Sequence, residues 1–450
     1  MNIENTARII LITMGLLLIF VCGVVVGRNR GFPYDALVFI RDSVAQVYNE
    51  RYTLAALKPE HFLQPSRYDG NGITVNKVPK GGFELVLLAG FFENSNGIRL
   101  LERDGTNVAN WPVRFFDIFP DASHLPIPPT TDWNIDIHGA LVEPDGSVVF
   151  NFEYGGLIKL TRCGDVVWAL PRATHHSVER DHEGNYWVPG RRLVSGESAS
   201  SFPPFETPFY EDTILQVSDD GQILTEISVP ELIYDNGLEA ILTSSGHSFM
   251  EEMSWDREIV HVNKIDPLTP DIANDFPMFD AGDLAVSMRT LNAVMVVDPE
   301  TRLVKWWHIG PWLRQHDPEF KAGGTIVVFN NNQYRTAFGT SPDRSPPSPT
   351  RFSNIVEIDP VSRTSEVIYG NGEDQQFLSV IRGKHELMPG GGLLVTEFEG
   401  GRVFETDQAG NLIWEYINRF SAEEVAEITE ARAYPTSYFS VGDWSCEHNG

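Results

Sequence analysis

Residues 281–307 read AGDLAVSMRTLNAVMVVDPETRLVKWW, and the same order of features recurs in PDGSVVFNFEYGGLIKLTRCGDVVWAL at 144–170 and in PGGGLLVTEFEGGRVFETDQAGNLIWEY at 389–416. Each copy has a Gly, Asp or Asn turn, an apolar strand, a second strand that ends in an acidic residue, another turn, and an apolar strand that often ends in Trp. Looser copies begin at Lys80, Glu183 and Ala322, so about six units follow one another along the chain.

Each unit supplies most of a four-stranded blade, which cannot bury both of its faces alone. Six neighbours stacked around one axis would bury them, so the sequence predicts an all-β, six-bladed β-propeller with an N-terminal transmembrane helix and short peripheral helices. A pair of β-sandwiches is the rival fold, but the shared order of strand, acidic turn, strand and Trp favours the propeller. Residues 421–434 (SAEEVAEITEARAY) begin with a serine cap followed by Glu three residues on, which predicts a helix outside the blades.

One apolar segment lies near the amino terminus. Residues 9–26 carry no charge and are just long enough to cross a hydrocarbon core of about 30 Å as a helix. A cleaved signal peptide is the alternative, but Arg28 and Arg30 follow where a small-x-small cleavage site would stand, which favours an uncleaved anchor over residues 1–30. Residues 31–76 are predicted as an amphipathic helix and a linker, and residues 77–450 as the propeller body with a C-terminal helical extension.

The flanking charges and the cysteines bear on the compartment of the body. Arg8 and the amino terminus precede the apolar segment and two arginines follow it, so the positive-inside rule slightly favours a cytoplasmic body. Of the three cysteines, Cys22 lies inside the apolar segment. At most one intrachain bridge, from Cys163 to Cys446, can therefore form in the rest of the chain.

The chain is strongly acidic, with 62 Asp and Glu residues against 34 Lys and Arg residues and a formal net charge of -28. This charge argues against a nucleic-acid partner, because binding a polyphosphate requires a basic footprint. An anionic small molecule would have to be drawn in by a local basic pocket.

Several of the 12 histidines occupy the same position within the repeating unit, which is called their phase. They fall in the segments that lead into the first strand of a blade, where a propeller gathers residues at one end of its axis. These residues are His138, His175, His176, His261, His316 and His385. The common phase predicts that they converge in space although they are far apart in sequence.

Four motifs follow one another between about residues 132 and 416. They are the His175-His176 pair ahead of DHEGN, His261-x-Asn263, Ser287-x-Arg289, and Gln315-His316-Asp317 followed by a Gly-rich turn and VFNN. In order and spacing they resemble those of the bacterial arylsulfotransferases, six-bladed propellers that move a sulfuryl group between phenols without a nucleotide cofactor. The chain departs from that family at VFNN, where an Asp is usual, and in an N-terminal domain that is shorter.

The resemblance implies that His316 transiently takes the sulfuryl group, with His261, Arg289 and His176 completing the catalytic site. It also implies small aryl sulfate and phenol substrates, no cofactor, no metal, and a body on the periplasmic or extracellular side of the cytoplasmic membrane. Substrate contacts are expected from His175 and Asn263, and also from Trp312, which is more often core but could stack on a phenol.

The chemistry of these residue types agrees with the resemblance. Sulfuryl transfer between oxygens develops negative charge on the non-bridging oxygens, which the planar fork of Arg289 can bind. A neutral His316 can attack and form a covalent intermediate, while His261 and His176 exchange protons with the phenols. Arg289 also disfavours zinc or copper, because a metal cation repels a guanidinium. A non-catalytic membrane-anchored binding module and an aryl sulfate esterase stay open as alternatives.

Overall fold

A computed structural model describes residues 3–29, 34, 37, 40–41, 58–79, 83–126, 128–194, 208–243, 259–333 and 351–446. The chain divides into two compact units, Met1–His61 and Phe62–Gly450. In the first unit, α1 (Ile3–Asn29) is a 27-residue helix. Its Arg8–Arg28 stretch has a mean hydropathy of 3.1, apolar enough for a membrane span or a signal sequence. The amphipathic helix predicted after it lies for the most part outside the described residues.

The second unit is built almost entirely of strands. In the described ranges these are, in chain order, β1 (Leu63–Pro65), β2 (Gly72–Asn76), β3 (Leu85–Phe92), β4 (Ser95–Glu102), β5 (Asn107–Val113), β6 (Ile137–Val142), β7 (Val148–Phe152), β8 (Gly156–Leu160), β9 (Val166–Leu170), β10 (Glu179–Arg180), β11 (Tyr186–Val194), β12 (Phe209–Val217), β13 (Ile223–Ser228), β14 (Val262–Pro267), β15 (Leu284–Met288), β16 (Ala293–Asp298), β17 (Leu303–Ile309), β18 (His316–Lys321), β19 (Thr325–Asn330), β20 (Asn354–Ile358), β21 (Ser365–Tyr369), β22 (Lys384–Leu387), β23 (Leu393–Glu397), β24 (Arg402–Thr406), β25 (Leu412–Ile417), β26 (Glu424–Ala426) and β27 (Ile428–Tyr434). In the same described ranges of this unit, three short α-helices accompany them: α2 (Phe115–Ile118), α3 (Val229–Asp235) and α4 (Glu239–Thr243).

The strands form six antiparallel blades. From the innermost strand outward they are β27-β3-β4-β5 (blade 1), β6 to β9 (blade 2), β10 to β13 (blade 3), β14 to β17 (blade 4), β18 to β21 (blade 5) and β22 to β25 (blade 6). The predicted all-β, six-bladed propeller is confirmed. Part of the segment predicted as a linker joins it, because β2 pairs with β25 at the outer edge of blade 6 and β1 pairs with β26.

The prediction of a helix over residues 421–434 is wrong. Residues Ile428–Tyr434 form β27, which pairs with β3 in the register Tyr434↔Leu85 and Ala431↔Leu88. Its Glu and Ala residues have helical propensity, but the first blade lacks an inner strand until this segment supplies it. The ring closes by pairing the last strand of the chain with one of the first, and that long-range pairing overrides local propensity.

The core lies between neighbouring blades. Strand β3 (LVLLAGFF) is buried at every position, as expected for a strand covered on both faces. The outer strands β9 and β13 are partly exposed. Helix α3 follows Ser228, whose hydroxyl oxygen accepts the backbone N–H of Glu231 at 3.2 Å and caps the helix.

A disulfide ties the end of the chain to blade 2. Cys163, in the turn between β8 and β9, is bonded to Cys446 with a Cα–Cα distance of 5.6 Å. This is the one bridge that the sequence allows outside the apolar segment. Beside it, Trp444 meets Trp111 edge to face with ring centroids 6.4 Å apart.

Candidate active site at the propeller axis

The inner strands begin at one end of the axis, called the upper end here. Several of them have an irregular backbone at that end. Strands β6, β14, β18 and β27 each have a register irregularity near their first residues. At this end His176, His261 and Asp317 adopt left-handed backbone with φ of 60°, 57° and 55°. An irregularity of this kind breaks the alternation of a strand and re-aims its side chains. Repeated from blade to blade, it gathers polar side chains at the axis.

Five buried histidines from blades 2 to 5 meet there and form the axial histidine cluster: His138, His175, His176, His261 and His316. His176 is central, with its ring centroid 4.6 Å from that of His138, 4.9 Å from those of His175 and His261, and 5.7 Å from that of His316. Its Nδ1 lies 2.7 Å from Nδ1 of His175, and its Nε2 lies 3.4 Å from Nε2 of His261. The rings are therefore one connected group.

Asn331 sets the ring orientation and the tautomer of His316. The amide nitrogen Nδ2 of Asn331 donates to the carbonyl oxygens of Ser379 and Arg382 at 2.8 and 2.7 Å, which places Oδ1 at 2.7 Å from Nδ1 of His316. That oxygen can only accept, so His316 carries its proton on Nδ1 and its lone pair on Nε2. Nε2 is buried and has no hydrogen-bond partner among the described residues. The structure thus presents a nucleophilic ring nitrogen.

The electrostatics of the cluster favour the neutral forms of His316 and His176. Burial lowers the pKa of His316 well below its usual range, and the positive charge of Arg289 lowers it further. Burial and the neighbouring His138 lower the pKa of His176 in the same way. Arg289 follows β15 at the upper end, and its backbone N–H donates to the carbonyl oxygen of His261 at 3.0 Å. Neutral imidazoles beside a fixed cation suit the binding of an anion.

His138 is oriented by the backbone of the next blade. Its Nδ1 accepts the backbone N–H of His176 at 3.0 Å, so its proton is on Nε2. Burial and the charge of Arg382 lower its pKa well below 6.5, so the ring is a neutral donor. The close approach depends on Gly139, because a Cβ there would lie 2.5 Å from the carbonyl oxygen of His176.

A small cavity opens among these groups. Its walls include His138, His176, Asn263, His316, Lys384 and Thr429. The side chain of Asn263 donates to the carbonyl oxygen of Gln315 at 2.8 Å, which holds its amide in place. Lys384 donates to the carbonyl oxygen of His176 at 3.3 Å. The cavity is thus lined by imidazoles, an amide, the basic side chains of Arg382 and Lys384, and the carboxylate of Asp317.

A layer of paired charges lies just below, one to three residues further along the inner strands. This axial charge ring consists of Glu179, Lys264, Asp317, Lys384, Glu430 and Arg432. Lys264 Nζ lies 2.6 Å from Glu179 Oε1 and 3.1 Å from Asp317 Oδ1. Burial would raise the pKa of Asp317, but Lys264 and His385 outweigh it and hold that pKa well below its usual range. Asp317 is therefore ionised, and the ring pairs three acidic with three basic side chains.

Residues 139–419, well over half of the chain, match the profile of the arylsulfotransferase (ASST) family. The chain belongs to the arylsulfotransferase family. The matched range includes all of the axial histidine cluster except His138, which immediately precedes it. None of the curated proteins compared with the chain matches its sequence.

Solved structures similar to this arylsulfotransferase-family propeller are distant. A protein of unknown function from Bacteroides caccae is 13% identical, with 78% of this chain and 99% of that one covered and a TM-score of 0.49. A catalytically inactive virginiamycin B lyase from Staphylococcus aureus is 11% identical, with coverages of 79% and 92% and a TM-score of 0.40. Hydrazine synthase from Kuenenia stuttgartiensis is 10% identical, with coverages of 76% and 80% and a TM-score of 0.42.

Most of the site residues predicted from the sequence of this arylsulfotransferase-family member lie together. His176, Asn263 and His316 line the cavity, His261 and His175 contact His176, and Arg289 acts on His316 through its charge. Trp312 does not join them. It is 1% exposed, packs in the core beside His308, and donates from its ring nitrogen to the carbonyl oxygen of Asn292 at 2.9 Å.

Sequence reasoning gave no role to several groups of the site. His138 was predicted to converge with the other histidines but falls in none of the four motifs, and Lys384 directly precedes His385. Asn331 stands out in the sequence only as a departure from the expected Asp. The position in the repeat that identified His138 could also have pointed to Lys384, whereas the contact of Asn331 with His316 is visible only in three dimensions.

Proposed function

We propose that this chain transfers a sulfuryl group from an aryl sulfate to a phenol through a sulfohistidine at His316, with no nucleotide cofactor. The observation that carries the proposal is Nε2 of His316, a buried nitrogen without a hydrogen-bond partner among the described residues, whose lone pair is fixed by the contact of Nδ1 with Asn331. Membership of the arylsulfotransferase family supports the reaction class.

In the first half-reaction, Nε2 of His316 attacks the sulfur atom and the bond from sulfur to the aryl oxygen breaks. The electron pair of that bond leaves on the phenolate oxygen, which takes the extra proton of a protonated His261 or His176 and leaves a neutral imidazole. Arg289 and the second N–H of Asn263 bind the non-bridging oxygens of the sulfuryl group, where negative charge develops. The positive charge of Arg289 favours a sulfate ester over a metal ion in the cavity.

In the second half-reaction, an acceptor phenol replaces the released one. His261 or His176 removes its proton as the phenol oxygen attacks the sulfur atom, and the bond from sulfur to Nε2 of His316 breaks. The lone pair returns to His316, and the enzyme is restored. Splitting the transfer into two displacements lets one small cavity serve both phenols in turn.

We also propose that α1 is an uncleaved, single-pass anchor over residues 1–30 and that the propeller lies on the outer side of the cytoplasmic membrane. The bond between Cys163 and Cys446 supports the outer side, because structural disulfides persist mainly in oxidising compartments. The arginine count around the anchor points the other way. Protease treatment of intact cells tests this: digestion of the body is expected, and full protection would contradict the outer location.

The reaction is tested with the full chain purified in detergent, incubated with p-nitrophenyl sulfate with and without phenol. We expect release of nitrophenol that depends on phenol, formation of phenyl sulfate, and a sulfated peptide containing His316 when phenol is withheld. For His316→Ala we expect kcat/KM to fall about 10⁴-fold or more, with the fold intact by circular dichroism. Equal turnover without phenol would favour an esterase. Absence of turnover, or retention of activity in the variant, would contradict the proposal.

A further inference from the structure

A row of contacts joins blade 4 to the interior of blade 3 through His176, which lines the cavity. Nε2 of His261 lies 3.4 Å from Nε2 of His176, and Nδ1 of His176 lies 2.7 Å from Nδ1 of His175. On the far side of His175, its Nε2 lies 4.0 Å from Oδ1 of Asp212. The row therefore consists of three imidazoles in succession with a carboxylate at its inner end.

Asp212 is held in place by the strand that follows the cluster. Its side chain is 4% exposed, and its oxygens accept the backbone N–H groups of His261 and Val262 at 3.0 and 3.3 Å. A buried carboxylate in this position is a fixed negative charge, and one imidazolium in the row would be stabilised by it. The two ends of the row are thus joined through the backbone of His261.

Each nitrogen-to-nitrogen contact in the row requires one ring to donate and the other to accept. A proton added at His261 can therefore pass to His175 by a change of tautomer at His176, without movement of any side chain. Such a row can hold one extra proton and deliver it again at either end.

The proposed reaction requires groups that can hold one proton and release it again. A phenolate leaves in the first half-reaction and takes up one proton, and the acceptor phenol gives one proton back in the second. The proton on Nδ1 of His316 is committed to Asn331. Lys384 is ion-paired with Glu430, and Asp317 with Lys264. His138 is neutral and would become an anion if it gave up its proton, and Arg382 is ion-paired with Asp136. Among these groups of the described site, the row of three imidazoles is left to supply the proton.

We propose that His261, His176 and His175 form a relay that holds one exchangeable proton against the charge of Asp212, with His175 and Asp212 as positioning residues for the general acid. This inference rests on the proposed sulfohistidine mechanism. In the first half-reaction the relay passes its proton to the departing aryl oxygen. In the second it recovers one from the hydroxyl group of the acceptor, so that protons balance over the cycle.

The test separates proton donation from sulfuryl transfer by the choice of donor. p-Nitrophenolate is a stable anion and leaves without a proton, whereas the more basic phenolate of phenyl sulfate requires one. Single-turnover rates of the full chain are measured with both donors for the wild type, Asp212→Asn and His175→Gln. We expect each variant to lose about 10²-fold on phenyl sulfate and far less on p-nitrophenyl sulfate.

Asp283→Asn is the matched control. Asp283 is also a buried carboxylate, 3% exposed, and accepts a backbone N–H, that of Asp280 at 2.8 Å, but it lies between β14 and β15 away from the cluster. We expect both donors to react at the wild-type rate in this variant.

An equal loss on both donors in the two relay variants would mean a structural role and overturn the relay, as would full activity on both. Should Asp212→Asn not fold, as judged by circular dichroism, His175→Gln decides alone. If the wild type reacts with neither donor, the sulfotransferase function itself fails, which is a different outcome from failure of the relay.

Discussion

In the axial histidine cluster, buried ring nitrogens such as Nε2 of His316 face a cavity without a hydrogen-bond partner among the described residues. One to three residues further along the same inner strands, in the axial charge ring, each charge faces an opposite one. Lys264 contacts both Glu179 and Asp317, and Arg432 contacts Glu179 at 2.7 Å. The two layers have similar burial and share strands, so the difference lies in their side chains.

The histidine cluster and the charge ring, which lie along the same axis, differ in what burial without a partner costs. An ionised group buried without a partner costs several kcal/mol, so the ring can be stable only when complete. A neutral imidazole buried without a partner costs less, about 1 to 3 kcal/mol, and keeps its lone pair available. The upper layer therefore tolerates unsatisfied nitrogens that a substrate can use, and the lower layer holds the inner strands of five blades together.

The largest stability effect is expected from breaking the charge ring. Lys264→Met removes the lysine that pairs with Asp317 and leaves Glu179 with Arg432 alone, which should lower the free energy of unfolding by about 3 to 5 kcal/mol. The measurement is the thermal midpoint by circular dichroism. Lys321→Met is the control, because Lys321 pairs with Glu357 at 2.7 Å with its side chain 38% exposed, and a cost of at most about 1 kcal/mol is expected there. Similar losses in the two variants would contradict the larger contribution to stability that is expected of the buried charge ring.

A smaller effect, on activity, is expected in the upper layer. Asn331→Leu removes the nearer of the two oxygens that contact Nδ1 of His316 and leaves the carbonyl oxygen of Arg314 at 3.1 Å, so the ring is held less firmly with Nε2 toward the cavity. We expect kcat to fall about 10²-fold with little change in KM. Asn330→Leu is the matched control, since Asn330 is 3% exposed and hydrogen-bonded to Leu313 and Asn354 but not to His316. A loss of kcat in Asn330→Leu as large as that in Asn331→Leu would contradict the orienting role.

The propeller could be predicted from the sequence because its signal repeats. The turn, strand and Trp order returns about six times, and each copy needs neighbours to bury its faces. The strand β27 could not be predicted in the same way, because its residues carry helical propensity and its partner β3 lies at the other end of the body. Only the closure of the ring, a long-range interaction, decides that segment.

The site was predictable where residue type and phase coincide. His176, His261 and His316 are all in the phase that leads into an inner strand, and the structure joins them. The same phase contains His138 and Lys384, which no motif marks. Trp312 was considered on residue type alone, and it lies in the core because a large apolar ring gains more from packing there than from lining a cavity among imidazoles.

The smallest effect is the change of folding stability with pH. This change has opposite signs for groups in the two layers. Burial raises the pKa of Glu386, just below the ring, to about 7 from an ordinary value of 4.5. The folded protein thus binds more protons than the unfolded chain in this window, so the contribution of Glu386 to stability falls as the pH rises from about 4.5 to 7. For His176 and His316, whose pKa values are lowered, stability is instead lost as the pH falls below 6.5.

Glu386→Gln isolates the lower-layer contribution. The amide oxygen can still accept the backbone N–H of Ala433, which Glu386 accepts at 2.7 Å, but the side chain no longer ionises. We expect the variant to be more stable than the wild type by roughly 1 to 2 kcal/mol at pH 8 and by clearly less at pH 5, from urea unfolding at both values. Glu300→Gln, on the exposed turn after β16, should change stability at neither pH. A gain of equal size at pH 5 and pH 8 would mean that the effect of Glu386 is one of packing, because only ionisation of the folded carboxyl makes the gain depend on pH.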